Sequence, residues 1–249
     1  MIVSIHQPHF LPWMGYFNKV INSDVFVWLN SVQYRKNYFQ NRTRIKSIAG
    51  NPIWLTLPVH NHLGDLIADI TIADKGWKSR VKSIIHLNYA KTPFYSIYCD
   101  EIYSTMEQNE SELLSEVNFN LFLKVLTLLD IHTRIVRVEE LKISCADPTG
   151  RLVEICRKLN AASYIAGKGG SDYMDQSLFE REGIGIFWQK FDPQVVKYSQ
   201  IGADFVPGLS IIDSLFNIGA SEVKKMLTLS WKIPDINEHT SFPGEKTNV

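Results

Sequence analysis

The sequence has few cysteines, no excess charge of either sign and no long apolar run. Three of its 249 residues are cysteines, namely Cys99, Cys145 and Cys156. An odd number without C-x-x-C spacing argues against a disulfide scaffold and against a zinc cage. We therefore interpret all three as reduced thiols. A catalytic thiol is the alternative, but none of the three lies in a recognisable nucleophile context.

Neither sign of charge is in excess, because Lys+Arg and Asp+Glu both number 26. Sequence-independent nucleic-acid binding depends on excess positive charge, so bulk nucleic acid is not an expected partner. A zero net charge still leaves room for a tRNA donor. It also leaves room for a local basic pocket that binds a phosphorylated small molecule.

The apolar runs are too short for a membrane span. No stretch approaches about 18 uninterrupted apolar residues, the length that crosses a bilayer. His6, Pro8 and His9 interrupt the N-terminal apolar run, and no basic region precedes it, so it does not have the pattern of a signal peptide. We therefore expect a cytoplasmic protein with no membrane partner.

Strand and helix patterns alternate along the chain. Short apolar runs of the kind found in buried parallel strands occur five times, at residues 2–5, 25–29, 133–138, 163–167 and 184–191. Helical spacing of apolar residues separates the first two runs, which is typical of a βαβ unit. A further strand is expected at "WLTLPV". The pattern predicts an α/β fold with a mostly parallel, doubly wound sheet and helices on both faces.

The middle of the chain, at about 76–130, has helical periodicity and is interpreted as a helical insertion or cap. Two more helices are expected near the end, in "SIIDSLFNIG" and "SEVKKMLTLSW". We therefore predict a single α/β domain over residues 1–231. The polar residues 232–249 are expected to form a loose tail.

Ligands of open parallel sheets bind beyond the carboxyl ends of the strands, so the loops that follow the strands hold the candidate site. The candidate catalytic residues are His6 and His9. The candidate substrate-binding residues are Gln7, Trp13, Gln33, Tyr34, Arg35, Lys36, Asn41, Arg42, Gly167, Lys168, Gly169, Ser171, Asp172, Tyr173, Tyr198, Ser210, Asp213 and Asn217.

The residue types in these loops suit phosphate chemistry, although each has a structural alternative. Histidine transfers protons near neutral pH, but His6 and His9 could equally bond loop carbonyls. Cations among planar side chains, as in "QYRKNYFQNRTR", suit a phosphate and a ring, or form a solvated surface stretch. The turn "GKGGSDYMD" suits an anion, lacks Walker A spacing and could be only a tight turn.

Two further patterns have competing interpretations. Ser210 and Asp213 lie three residues apart ahead of apolar residues, so they could simply be a helix-capping pair. His60 and His62 alternate as strand ligands of zinc would, with Asp65 nearby. No third ligand is evident from the spacing, so we expect an exposed hairpin turn there and predict no metal site.

Four segments carry a family resemblance: "IHQPHFLPWMGYFNKVINSDVFVWLNSVQYRKNYFQNRTRI", "WLTLPV", "GKGGSDYMD" and "LSIIDSLFNIG". Together they resemble the WbqC-like protein family, from the first strand to about Gly219. The resemblance implies a role in bacterial surface-polysaccharide (O-antigen) biosynthesis. It further implies a transferase acting on a nucleotide-linked amino sugar, with glycyl or other amino-acyl transfer as one form. It supports a function for His6 more than for His9.

A second resemblance concerns fold and mechanism. "SDVFVWLNSVQY" and "YIAGKGGSDYMDQ" look like segments of pantothenate synthetases, and His6 and His9 have the spacing of the nucleotidylyltransferase histidine pair. This resemblance implies a Rossmann-like, HUP-like fold and ATP or another nucleotide as a cofactor. The chain departs from that pattern because the histidines precede the helix by several residues and no KMSKS-like loop is plain.

Two functions are therefore carried forward. One is a transferase or ligase in which His6 moves a proton or contacts phosphate, while Arg35, Lys36, Arg42 and Lys168 hold phosphate groups. The other is a protein that binds a nucleotide or nucleotide-linked sugar without catalysis of its own.

Overall fold

The computed structural model describes residues 1–233, and residues 234–249 of the predicted tail lie outside the described residues. Its strands are β1 (Ile2–His6), β2 (Val25–Trp28), β3 (Arg42–Lys46), β4 (Pro52–Thr56), β5 (Val59–His60), β6 (Thr71–Ile72), β7 (Arg134–Arg137), β8 (Ser163–Ala166) and β9 (Gly185–Trp188). Its helices are α1 (Met14–Ile21), α2 (Trp77–Tyr89), α3 (Tyr95–Gln108), α4 (Leu114–Leu128), α5 (Pro148–Lys158), α6 (Gln176–Arg181) and α7 (Ile211–Ser230).

Five strands form one parallel sheet in the order β7-β2-β1-β8-β9. These are the five strands that the apolar runs predict, so the α/β class with a parallel sheet is confirmed. The chain builds outward from β1 to β2 and β7, then returns to add β8 and β9 on the other side. The strand order thus reverses between β1 and β8, and a crevice at this reversal is where such sheets bind ligands.

The central strands β1, β2 and β8 are buried on both faces, which explains why they read as short, mostly apolar runs. In β2 every residue is buried. Phe26 and Trp28 pack against α4 through Phe122, with ring centroids 5.3 and 5.1 Å apart respectively. Val25 and Val27 point to the opposite face, into a second apolar cluster that includes residues of α5 and α6.

Three helices, α2, α3 and α4, occupy the predicted helical section between β2 and β7. They contribute to the same apolar cluster as α1 and α7. The section therefore packs directly on one face of the sheet. None of the helices in residues 1–233 is both long enough and apolar enough to cross a bilayer.

The sequence analysis did not predict β3, which pairs antiparallel with β4 at Arg44 and Trp54. Thr43 and Ile45 of β3 are buried, whereas Arg42 and Arg44 are half-buried. Buried and partly exposed positions therefore alternate at the start of this strand. Because arginines occupy the partly exposed positions, the sequence reads as a polar stretch. Its partner β4 lies at the predicted "WLTLPV" run.

The two helices expected near the C-terminus form one element, α7, with a break at Gly219. Gly219 has φ 78° and ψ 161°, a conformation that favours glycine. Phe94 lies against this glycine, and an added Cβ would come within 2.9 Å of its ring. α7 packs against α1 and α3, which brings the loop that precedes α7 back toward the β1 end of the sheet.

Candidate functional site

A cleft of about 500 Å³ opens at the carboxyl ends of β1 and β8, where the strand order reverses. It is bounded by the loop after β1, the first turns of α1, the loop before β3, the glycine turn after β8 and the segment after β9. Its lining residues are His6, His9, Trp13, Gly15, Tyr16, Lys19, Tyr38, Phe39, Arg44, Gly167, Lys168, Gly169, Gln189, Phe191, Pro193, Gln194, Pro207 and Gly208.

The two candidate catalytic histidines both line this cleft. The His6 and His9 rings lie edge to face, with centroids 4.7 Å apart. His6 Nδ1 is 3.0 Å from the Gln7 carbonyl oxygen. Because a carbonyl can only accept, this hydrogen bond places a proton on Nδ1 and leaves Nε2 of the neutral ring as an acceptor.

His9 lies deeper and is surrounded by aromatic rings. The Tyr16, Tyr38 and Phe39 centroids lie 5.4, 5.6 and 5.5 Å from the His9 ring. His9 is 4% exposed, and neither ring nitrogen has a hydrogen-bond partner within residues 1–233. Buried polar atoms are rarely left unpaired, which singles out His9 among the residues that line the cleft.

Burial and a neighbouring cation keep both imidazoles neutral. Burial lowers the pKa of His9 to about 3, and the Lys19 ammonium adds to this effect. Burial, Lys19 and His9 together lower the pKa of His6 well below its usual range, although the bond to Gln7 raises it in part. The neutral-range pKa expected for His6 is therefore not present in the free protein. A bound anion would raise both pKa values.

Lys19 is a site residue that the sequence analysis missed. It lies on α1, its side chain is 3% exposed, and burial lowers its pKa to about 8. Within residues 1–233 its ammonium has neither a hydrogen-bond acceptor nor a carboxylate partner. The sequence contains a sign that Lys19 is buried. It follows Tyr16 by three residues and precedes Val20, and both belong to the apolar face of the predicted helix.

The glycine turn after β8 brings Gly167, Lys168 and Gly169 into the cleft. A Cβ on Gly167 would lie 3.2 Å from Lys19 Nζ, so the absence of a side chain there leaves space for the lysine. Ser171 Oγ donates to the Lys168 carbonyl at 2.7 Å, which closes the turn.

The remaining residues of the predicted glycine turn do not line the cleft. Asp172 accepts from Ser171 Oγ at 3.2 Å, and Tyr173 is 61% exposed. The helix expected after the turn, α6, begins only at Gln176. Gly167 instead precedes a single 3-10 turn, Lys168–Gly170, so the glycines are not at the N-terminus of α6.

The cationic segment supplies a different arginine from the ones expected. Arg44 of β3 lines the cleft. The Arg35 guanidinium lies over Tyr38, 4.9 Å from the ring centroid, and that of Arg42 lies over Trp54 at 4.1 Å. Lys36 is exposed. These three expected phosphate-binding cations lie outside the lining, and their substrate contact stays a prediction.

Four other predicted binding residues, which follow β1 and β2 in the chain, contact other parts of the protein and do not line the cleft. Gln7 Oε1 accepts from Gln40 Nε2 at 2.8 Å, which ties the histidine loop to the loop before β3. Gln33 forms an isolated bridge with Leu66. Tyr34 is buried in the core, and Asn41 Nδ2 donates to the Leu57 carbonyl at 2.8 Å.

The predicted residues near α7 also lie outside the cleft lining. Asp213 is fully buried and accepts from the Tyr89 and Tyr198 hydroxyls, each at 2.7 Å. Ser210 Oγ donates to the Leu11 carbonyl at 2.7 Å and makes no side-chain cap. Asn217 Nδ2 donates to the Asp213 carbonyl at 2.8 Å. This network holds the segment that forms one wall of the cleft.

Trp13, another predicted binding residue, lines the cleft and closes over α1. Its ring lies against Gly15, where an added Cβ would overlap it, and 5.4 Å from the Phe191 ring. Gln189 Nε2 donates to the Gly15 carbonyl at 2.7 Å, which fastens the end of β9 to α1. Trp13 therefore supplies a fixed apolar surface beside the histidines.

The histidine pair near β5 does not assemble a cluster. His62 Nδ1 lies 3.5 Å from Asp65 Oδ2 as an exposed pair, and His60 lies on β5. Among residues 1–233 no three His, Cys, Asp or Glu side chains lie close enough together to hold a metal ion.

Comparison with known proteins identifies the family. A family model described as the WbqC-like protein family matches residues 7–225. The chain belongs to this family. The uncharacterized protein Rv1507c of Mycobacterium tuberculosis (strain ATCC 25618 / H37Rv) is 28% identical over 220 residues, which are 88% of this chain and 94% of that protein. No solved structure matches the chain at a significant level.

The charged residues that line the cleft in this WbqC-like protein are all cations. Lys19, Arg44 and Lys168 line it, and no aspartate or glutamate does so within residues 1–233. Three cations and two neutral imidazoles face a space whose remaining walls are aromatic, glycine, proline and glutamine residues. Such a space favours an anion joined to a planar or apolar group.

Proposed function

We propose that this WbqC-like protein is a transferase or ligase that acts on a nucleotide-linked amino sugar in bacterial surface-polysaccharide biosynthesis. Amino-acyl transfer, glycyl transfer in particular, is the form that we propose, with a cytoplasmic location and ATP or another nucleotide as the activating group. The observation that carries the proposal is the acid-free cationic cleft at the reversal of strand order. Phosphate is the group that such a cleft binds best.

The sheet supports a Rossmann-like assignment of the nucleotidylyltransferase type. Numbered by their place in the chain, the five parallel strands have the order 3-2-1-4-5, which is that of dinucleotide-binding sheets up to the fifth strand. We propose that the phosphates lie between β1 and β8. The base or the sugar ring would then lie against Trp13 and the Tyr38–Phe39 wall.

His6 is the proposed proton carrier. Its Nδ1 bond to the Gln7 carbonyl orients the ring and leaves Nε2 to accept a proton from the attacking hydroxyl or amine. A phosphate beside the ring would raise the pKa of His6, so the ligand itself would make the imidazole a better base. The protonated ring would then donate to a phosphate oxygen as charge develops on it.

A second candidate is a binding protein without catalysis of its own. It is favoured by the strongly lowered pKa values of His6 and His9 in the free protein, which make both rings poor proton acceptors before a ligand arrives. Both candidates bind the phosphate group of a ligand in the same cleft, so only a measurement of turnover distinguishes them.

Calorimetric titration with ATP and with a nucleotide-linked amino sugar, beside a pyrophosphate-release assay, tests the proposal. We expect turnover, and we expect His6→Ala to lower it by about tenfold or more while ligand still binds. The melting temperature should stay close to that of the wild type, because His6 is only partly buried and makes one hydrogen bond. Binding without turnover under any donor would favour the second candidate.

A further inference from the structure

The side chain of Lys19 is buried without a partner. It is 3% exposed, and within residues 1–233 neither an ion pair nor a hydrogen bond engages its ammonium. Burying an ammonium without compensation is costly, and proteins normally pair such groups. Lys19 lines the cleft, so an anion bound in the cleft can compensate this charge.

Residues 1–233 do not supply that compensation. The other titratable or charged groups around the cleft are His6, His9, Tyr16, Tyr38, Arg44 and Lys168. None is a carboxylate, and burial raises the pKa of Tyr16, which keeps its phenol neutral. Its hydroxyl is also occupied, because it donates to the Gln7 carbonyl at 3.0 Å. Every other group near Lys19 is therefore neutral or positive.

Two further features lie beside the Lys19 ammonium. Gly167 lies directly opposite the ammonium, and a Cβ there would come within 3.2 Å of Lys19 Nζ. The backbone of Gly167 has φ −80° and ψ 161°, which any residue adopts, so conformation alone does not require glycine at this position. Beside the ammonium, the His9 ring is buried with both nitrogens unpartnered. An ammonium and an imidazole thus face one small space that no carboxylate of residues 1–233 lines.

We infer that Lys19 anchors a phosphate group of the ligand, held between the end of β1 and the Gly167 turn after β8, with His6 and His9 on its other side. This assignment rests on the proposed ligand class and names the atom that would bind it. The anchored group is a phosphate or diphosphate ester, because a multiply charged anion best matches the three cations of the cleft.

Inorganic pyrophosphate is the probe for this anchor. In calorimetric titrations we expect Lys19→Met to weaken pyrophosphate binding by about tenfold to a hundredfold, the effect of losing one charge-assisted bond. The same change should raise the melting temperature, because it removes an uncompensated buried charge and keeps most of the volume. A lysine with only a structural role would show the opposite change in stability. The matched control is Lys91→Met, an exposed lysine between α2 and α3 that does not line the cleft, which should change affinity by less than about twofold.

A pair of glycine variants tests the geometry without touching the charge. Gly167→Ala places its Cβ against Lys19 Nζ, whereas Gly185→Ala, at the start of β9 and outside the cleft lining, places its Cβ no nearer than 3.4 Å to another atom, the Ser163 hydroxyl oxygen. We expect Gly167→Ala to weaken pyrophosphate binding by roughly threefold to tenfold and Gly185→Ala to leave it nearly unchanged. If Lys19→Met fails to fold, this pair decides the question, and equal effects of the two variants would overturn the inference.

Three other results would overturn it. These are a wild-type protein that does not bind pyrophosphate, a Lys19→Met protein that binds within about twofold of the wild type, and acetate binding as tight as that of pyrophosphate. None of these measurements uses turnover. A transferase assay that fails would therefore refute the proposed function while leaving the phosphate anchor standing.

Discussion

His6 and His9 lie with ring centroids 4.7 Å apart, yet only His6 has a hydrogen-bond partner within residues 1–233. The bond to the Gln7 carbonyl sets the orientation of His6. His9 is held by the aromatic rings around it and leaves both nitrogens free. One ring is therefore oriented by the backbone, and the other is kept buried beside it. This asymmetry is the reason why we propose proton transfer for His6 and only a ligand contact for His9.

The first prediction concerns acid stability. Burial and Lys19 lower the pKa of His9 from 6.5 to about 3, so the unfolded chain binds this proton more readily than the native protein. Stability should therefore fall as the pH decreases from 6.5 toward 3. His9→Phe removes the imidazole that binds this proton, so the melting temperature of the variant should decline less steeply over that pH range.

Thermal unfolding of both proteins across this pH range measures the effect. The groups that face His9 are His6, Tyr16, Tyr38, Phe39 and Lys19. Of these His6 also titrates, so the variant should keep part of the slope. His60→Gln, at an exposed position, is the control. Parallel curves for the wild type and His9→Phe would contradict the assignment of a buried, neutral His9.

The second prediction concerns the wall of the cleft. Gly15→Ala would push the added methyl group into the Trp13 ring. Although alanine favours a helix, overpacking of this kind costs about 1–3 kcal/mol, so the net effect should be destabilising. Urea unfolding measures the loss, and tryptophan fluorescence reports the displaced ring. Gly169→Ala serves as the control, because nothing lies within 4 Å of its Cβ, and an equal loss there would contradict the packing explanation.

The third prediction separates structure from substrate contact at Asp213. The Tyr89 hydroxyl donates to Asp213 at 2.7 Å and accepts from the Lys46 backbone amide at 2.9 Å, whereas the Tyr198 hydroxyl donates to Asp213 at 2.7 Å. Each buried polar group left unpaired costs about 1–3 kcal/mol. Tyr89→Phe should therefore destabilise the protein more than Tyr198→Phe in urea unfolding. A Tyr198→Phe protein of unchanged stability that no longer binds ligand would instead support the substrate role expected from the sequence.

The fourth prediction concerns the thiols. Burial raises the pKa of Cys156 to about 12 and that of Cys99 above its usual range. Cys145 is only partly buried. Because the thiolate is the reactive form, we expect a disulfide reagent to modify Cys145 rapidly in the native protein and the other two only after unfolding. The control is Cys145→Ser, which should lose the rapid phase. A rapid phase that persists in this variant would contradict the burial of the other two thiols.

The sheet is the part that the sequence predicts well. Its strands are short, mostly apolar runs separated by helical patterns, so local composition reveals them. The antiparallel strand β3 is different. Its outward positions are Arg42 and Arg44, and the alternation of buried and partly exposed residues becomes visible only once its pairing with β4 is known.

The sequence predicts part of the cleft lining. The rule about carboxyl ends of strands selects His6, His9 and the glycine turn, and the topology of the sheet brings them to one cleft. It cannot select among the cations that follow β2, because the pairing of β3 with β4, which the rule does not predict, positions Arg44 at the cleft. Lys19 was missed for another reason: it lies on a helix, where polar residues are expected to face solvent.

The central claim is that the cleft between β1 and β8 binds the phosphates of a nucleotide-linked ligand. A crystal structure of the protein with UDP-N-acetylglucosamine, a nucleotide-linked amino sugar, tests it most directly. We expect electron density for the diphosphate at about 3 Å from Lys19 Nζ and from a ring nitrogen of His6. Diphosphate density against Arg35, Lys36 and Arg42, outside the cleft, would contradict the claim.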